Sequence, residues 1–126
     1  MNRVRIHSKN IDRGKIGEDA VTALLQKESF TIVERNFRTA FGEVDIVAQK
    51  RDVLAFIEVK LRVSNRIDSA EIILPSKQKK IVMVAQHFLS KHAYHEMIIR
   101  FDVALVHYVN NQCSIQYIPN AFTSCD

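Results

Sequence analysis

Asp45, Glu58 and Lys60 stand inside two segments, GEVDIVAQ and VLAFIEVKLR, whose other residues are mostly Val, Ile, Ala, Leu and Phe in the short blocks of β-strands. Charges in such places mark either a sheet edge or a site that uses them. In VLAFIEVKLR, alternation sends Leu54, Phe56, Glu58 and Lys60 to one face and Ala55, Ile57, Val59 and Leu61 to the other. The first face therefore turns from apolar to charged, with Glu58 and Lys60 side by side at its far end. If the two segments pair through the polar turn QKRD, a hairpin folded near Lys50 and Arg51 sets Asp45 opposite residues 56–58. Two carboxylates and an ammonium then meet without any long-range assumption. Val44 and Ile46, on either side of Asp45, are expected to make the opposite face of that strand apolar.

Two carboxylates a few Å apart raise each other's pKa unless a cation sits between them. Oxygen ligands of this kind suit Mg²⁺ or Mn²⁺, hard ions that keep several waters and share their coordination with substrate phosphates. Such an ion activates water and stabilises charge developing on a phosphate oxygen. A neighbouring lysine can orient the water, take part in its deprotonation, or contact the scissile phosphate. The chemistry that fits is metal-dependent hydrolysis of a phosphodiester. Glu58 and Lys60 alone would read equally well as a charged pair protecting an edge strand. With Asp45 facing them across a tight turn, the functional reading becomes the better one.

The elements that must position these residues follow from periodicity. Ile16, Ala20, Ala23 and Leu24 recur at helical spacing, predicting a helix from about Asp12, its N-cap, to about Lys27. Three short-looped strands follow, FTIVERNFR, GEVDIVAQ and VLAFIEVKLR, which make an antiparallel meander. Ile81, Val84, Ala85, Phe88 and Leu89 predict a second helix, opened by Pro75. MIIRFDVALVHYV, a turn at Asn110 and Asn111, and a short strand CSIQYI complete the chain. The order αβββαββ predicts an α+β domain with a mixed sheet covered by helices. A basic arm is expected over 1–11, one domain over 12–122 and a tail over 123–126.

With 126 residues, 47% of them hydrophobic, the chain suffices for one core. Eighteen Lys and Arg against 14 Asp and Glu leave +4, which permits a polyanionic partner. Cys113 and Cys125 have no CxxC spacing and read as two reduced thiols, with neither a zinc site nor a disulfide framework. MNRVRIHSKNIDRGK lacks the apolar core of a signal peptide, and no segment reaches membrane-spanning length. A cytoplasmic protein without membrane partners is expected.

The wider pattern is more specific. GKIGEDAV at 14–21, RNFR at 35–38, GEVDIVA at 42–48, FIEVKLR at 56–62, Lys77 and RFDVALV at 100–106 together resemble the YraN-like family of small bacterial proteins. Asp45 followed by Glu58-Val59-Lys60 resembles the D…ExK motif of the PD-(D/E)XK nuclease superfamily, with a distant similarity to archaeal Holliday junction resolvases. The resemblance implies a restriction-endonuclease-like core in which Asp45, Glu58 and the main-chain carbonyl of Val59 bind the metal and Lys60 assists the water. It also implies that Glu18 contacts the metal through water, although a first-turn glutamate favoured by the helix dipole is an equally good account of Glu18. Val44 stands where the motif often has proline.

Arg35, Arg38, Arg62, Arg66 and the cluster Lys77, Lys79 and Lys80 could contact DNA phosphates, or form a solvated basic face. Lys77 and Gln78 gain weight because residues following ExK reach the active site in nucleases of this kind. His92 and His95 read better as helix-end residues than as ligands. Gly14 and Gly17 lack the spacing of a phosphate loop, so no nucleotide cofactor is expected. The leading expectation is a Mg²⁺- or Mn²⁺-dependent DNA endonuclease for branched or structured DNA in repair or recombination; a symmetric cutter would work as a homodimer. The alternative is a catalytically weak nucleic-acid-binding accessory module. A third reading, a protein-interaction domain, would use the last strand and the loop at 63–74.

Overall fold

In the computed structural model the described residues are 13–62 and 73–124. The arm expected over 1–11, the N-cap Asp12, Arg66 and most of the loop at 63–74 lie outside them. Seven elements occur in the expected order: α1 (Arg13–Lys27), β1 (Thr31–Thr39), β2 (Gly42–Lys50), β3 (Val53–Arg62), α2 (Pro75–Ser90), β4 (Ile98–Val109) and β5 (Gln112–Phe122). The strands form one five-stranded mixed sheet in the order β1-β2-β3-β4-β5. All neighbours are antiparallel except β3 and β4, which run parallel because α2 returns the chain between them. The architecture is α+β.

The helices take opposite faces. Ile16, Ala20, Val21 and Leu25 of α1 pack on Ile46, Ala48, Ala55, Ile57, Ala104 and Val106. Ile81, Val84, Ala85 and Phe88 of α2 pack on Val44, Val47, Leu54, Phe56, Phe101 and Leu105. The alternation read for β3 holds: its odd-numbered residues meet α1 and its even-numbered ones face α2. Gly17 is where α1 crosses β3 most closely, since a Cβ there would lie 3.3 Å from Val59 Cγ1.

Turn chemistry sets the registers. Asn110 and Asn111 both have positive φ, the conformation that a two-residue hairpin turn requires, and they join Val109 to Gln112. Arg51 (φ 54°) opens the turn that pairs Lys50 with Val53. The last strand runs four residues past the expected Ile118, through Pro119 and Asn120, for a reason given below.

One expectation about β2 fails. Val44 belongs to the α2 core and Ile46 to the α1 core, so the two flank Asp45 on opposite faces. The partner strand changes face at the same level: Arg35 meets α1, whereas Phe37 packs in the α2 core, with Asn36 (φ 55°) between them. The ladder pairs Arg35 with Ile46 and Phe37 with Val44 and skips Asn36 and Asp45. Strict alternation fails here because a residue in the left-handed region turns the strand.

Candidate metal and phosphodiester site

The β2–β3 ladder runs from the turn as Lys50↔Val53, Gln49↔Leu54, Ala48↔Ala55, Val47↔Phe56 and Ile46↔Ile57, and stops there. Pairs 50/53, 48/55 and 46/57 exchange hydrogen bonds in such a hairpin, so Val59 would next have bonded Val44. Instead its N–H donates to Asp45 Oδ2 at 2.8 Å. The Asp45 carboxylate thus takes the place of a main-chain carbonyl and fills the gap where the strands part. N–H and C=O of one strand residue point to the same side, so the Val59 carbonyl faces this gap as well.

Four carboxylates converge on the gap. Asp45 and Glu58 are 8% and 7% exposed, among only three buried charged side chains of the described residues. Carboxylate oxygens of Glu18, Glu43 and Asp45 lie within 4.8 Å of one another. Glu18 comes from α1, on one face of the sheet, and is its sixth residue, so it is not the first-turn glutamate that the helix dipole would favour; Glu58 comes from the face that carries α2. Glu58, Asp45, Glu43 and Gly42 line a cavity of about 340 Å³ closed by Ser76, Lys77, Lys80 and Ile81 at the start of α2. Gly42, with φ 147°, is in a conformation that side-chain-bearing residues rarely adopt.

The electrostatics follow. Burial, with the nearby Glu58, Glu18 and Glu43 charges adding to it, pushes the Asp45 carboxyl up to about 7 against the pull of the Val59 N–H. Glu58 is pushed up by burial, opposed by Lys77 and more weakly by Lys60. Lys77 Nζ lies 3.0 Å from Glu58 Oε1. The donors are all hard oxygens around excess negative charge, a set that fits a small divalent cation.

A second buried aspartate provides the contrast. Asp102, fully buried, accepts from Arg100 Nε (2.9 Å) and Nη2 (2.9 Å), from the Tyr117 hydroxyl and from the Asn120 N–H (2.9 Å). Its charge is matched and its oxygens are saturated. It also holds Asn120 (φ 52°) beyond Pro119, which is why β5 continues past Ile118, the end of CSIQYI. Asp45 has one main-chain donor and acidic neighbours.

The structure brings Glu18, Asp45, Glu58 and Val59 to one place and adds Glu43, which the sequence reading passed over; Lys60, two residues after Glu58 on β3, acts on Glu58 through its charge. The signal was present, since Glu43 lies two residues before Asp45. Several of the basic residues have partners within the chain. Lys77 is in the cavity on Glu58. Arg35 pairs with Asp19 (2.8 Å) and Glu18 (3.5 Å), and Arg38 pairs with Glu43. Gln78 Nε2 donates to the Ile73 carbonyl at 2.8 Å, tying down the entry to α2. Arg62 ends β3. His92 stacks on Phe88, with Nδ1 2.7 Å from the Phe88 carbonyl, at the end of α2. Cys113 is a buried free thiol. Among the described residues no helix is long and apolar enough to cross a membrane.

Comparison with known proteins adds kinship. Residues 17–106 match the model of a family described as "Uncharacterised protein family UPF0102". The chain is 43% identical over 110 residues to a UPF0102 protein of Desulforapulum autotrophicum, covering 86% of this chain and 91% of that one. It is 40% identical over 116 residues to one of Hahella chejuensis (91% and 93%) and 36% identical over 112 residues to one of Clostridium perfringens (86% and 92%). A solved structure, the crystal structure of SSO0001, superposes at a TM-score of 0.37 and 15% identity; the match spans 87% of this chain and about half (52%) of that one. A likeness that low carries no argument.

Proposed function

The chain belongs to the uncharacterised family UPF0102, and on that premise we propose that it is a Mg²⁺- or Mn²⁺-dependent DNA endonuclease. In this reading it has a restriction-endonuclease-like core of the PD-(D/E)XK kind and hydrolyses phosphodiester bonds in branched or otherwise structured DNA. The observation that carries the proposal is the burial of Asp45 among like charges, Glu58 included, at the point where β2 and β3 part. Burying carboxylates among like charges costs stability, a cost that a fold keeps where the charges are used. Asp102, equally buried but fully paired, shows the arrangement this fold uses when an aspartate is structural.

Asp45, Glu58 and the Val59 carbonyl would hold the ion, with Glu18 and Glu43 reached through water. When bound, the ion supplies a water of lowered pKa and positive charge at the phosphate. The chain's own groups do the rest. Lys60, on the face of β3 that carries Glu58, orients the attacking water and offsets charge building on the phosphate. Lys77 gives Glu58 its counter-charge until the site is loaded and then turns to the substrate phosphate. Arg35 and Arg38 hold Glu18, Asp19 and Glu43 in place.

A second reading, a nucleic-acid-binding accessory module, is favoured by the half-exposed Lys77 and by Lys80 at the cavity, which can take phosphates without any cleavage. The two separate in one experiment. Duplex, single-stranded, flapped and four-way-junction DNA are incubated with Mg²⁺, Mn²⁺ or EDTA, beside the Glu58→Ala and Lys60→Ala proteins. Cutting by the unaltered protein alone, abolished by chelation, is expected. Equal cutting by Glu58→Ala refutes the assignment, and salt-sensitive binding that survives EDTA without any cutting favours the module.

A further inference from the structure

An exposed aromatic residue, Phe41, immediately precedes Gly42, which lines the cavity that holds Asp45 and Glu58. Among the described residues four large apolar side chains are exposed: Phe41, Leu74, Met83 and Ile98. Two of them adjoin this cavity along the chain, because Gly42 and Ser76, which line it, follow Phe41 by one residue and Leu74 by two. Phe41, 49% exposed, sits on the two-residue turn between the paired Thr39 and Gly42. Its N–H donates to Thr39 Oγ1 at 3.0 Å, so the ring is carried by a short, bonded turn. Exposed cations stand beside the carboxylates: Lys77 and Lys80 line the cavity with Glu43, Asp45 and Glu58, and Arg38, three residues before Phe41, pairs with Glu43 yet keeps its side chain 75% exposed.

A ring held out in water beside cations suits a nucleic acid better than an apolar protein face. Lysine and arginine take the phosphates without reading sequence, and an aromatic ring offers a surface on which any unpaired base can stack. The spacing is suitable. β2 runs from the turn directly to Asp45, four residues on, about 13 Å at about 3.3 Å per residue. That is three to four nucleotides of a stacked strand at about 3.4 Å each, and fewer of an extended one. Bases inside a continuous duplex present no free face at that distance.

We infer that Phe41 is a stacking platform for an unpaired base close to the scissile phosphate, and that the substrate is DNA with an open or single-stranded segment beside the cut. The inference rests on the nuclease reading and narrows it: flaps, gaps and junctions qualify, and uninterrupted duplex does not. Phe41 is a specificity-determining residue in this account, outside the metal-binding set.

The test measures binding by fluorescence anisotropy in Ca²⁺, using duplex, gapped, flapped and single-stranded oligonucleotides, for the unaltered protein and for Phe41→Ala, Phe41→Tyr and Phe41→Trp. Phe41→Ala should lose about tenfold to a hundredfold in affinity for the open substrates and little for duplex. Tyr and Trp should restore the loss, and the salt dependence should not change, because no charge is removed. An open substrate carrying 2-aminopurine near the cut should report stacking with the unaltered protein and not with Phe41→Ala. An equal loss on all four DNAs, no loss, or no rescue by Tyr and Trp overturns the inference while leaving metal-dependent cleavage untouched. Absence of both binding and cutting by the unaltered protein overturns the nuclease reading, and the inference falls with it.

Discussion

Asp45→Asn should make the metal-free protein more stable, and the gain should depend on pH. The amide oxygen can still accept the Val59 N–H, so the strand junction keeps its hydrogen bond while the charge is lost. Asp45 titrates near 7 in the folded protein against an ordinary 3.8, a displacement caused first by burial and then by Glu58. A carboxyl raised on folding favours the folded state fully below its unfolded pKa and loses that advantage as pH rises through the folded value. At 1.36 kcal/mol per pH unit, the ionised side chain costs the fold at most about 4 kcal/mol above pH 7. Relaxation and water entry reduce this, so a gain of about 1–3 kcal/mol is expected for Asp45→Asn at pH 8.

Urea unfolding followed by circular dichroism measures it. In EDTA the two proteins should match near pH 3.5, diverge between about pH 4 and 7, and differ most above that. Saturating Mg²⁺ should raise the stability of the unaltered protein by mass action and leave Asp45→Asn unmoved. A variant less stable than the parent at pH 8 in EDTA, or a difference that ignores pH, would refute the claim that Asp45 is buried at a cost.

The same chemical change at the other buried aspartate should have the opposite sign. Asp102→Asn removes the counter-charge of Arg100 and sets an amide N–H₂ against donors already present, so a loss of about 2–3 kcal/mol is expected, with or without Mg²⁺, in the same urea assay. Gly17→Ala tests the scaffold: the new Cβ would press on Val59 Cγ1 at 3.3 Å, while helix propensity gains about 1 kcal/mol. The urea midpoint should therefore move little, but Mg²⁺ affinity by calorimetry should fall, because Val59 carries the carbonyl that faces the gap. Unchanged Mg²⁺ binding in Gly17→Ala would mean that the position of Val59 does not matter to the site.

Much of this was legible in the sequence because local signals agreed. The apolar alternation of VLAFIEVKLR, the two-residue turn after Lys50 and the Pro75 start of α2 together bring Glu58, Asp45 and Lys77 near one another. What escaped were features made by breaks in period. No alternation rule shows that Asn36 turns β1 and that Val44 and Ile46 part to opposite cores. The extension of β5 escaped for a related reason: Pro119-Asn120 is a turn signal by itself, and only Asp102, 18 residues earlier, overrides it. The basic residues were legible as charge but not as partners, since charge counts do not tell that Arg35 pairs with Asp19 and Arg38 with Glu43.

The two aspartates argue most directly for a working site. Each sits at a strand irregularity, each accepts a main-chain N–H that the ladder has left over, and each is buried. If Asp45 served only to close its junction, the arrangement around Asp102 shows what suffices: a bidentate arginine and a tyrosine hydroxyl. At Asp45 an arginine of the same kind, Arg35, is turned instead to Glu18 and Asp19, and Glu58 is set against the gap. Glu18, Glu43 and Glu58 each face a cationic side chain, whereas Asp45 accepts the Val59 N–H among acidic neighbours, and in the proposed reading a cation from outside the chain completes that set.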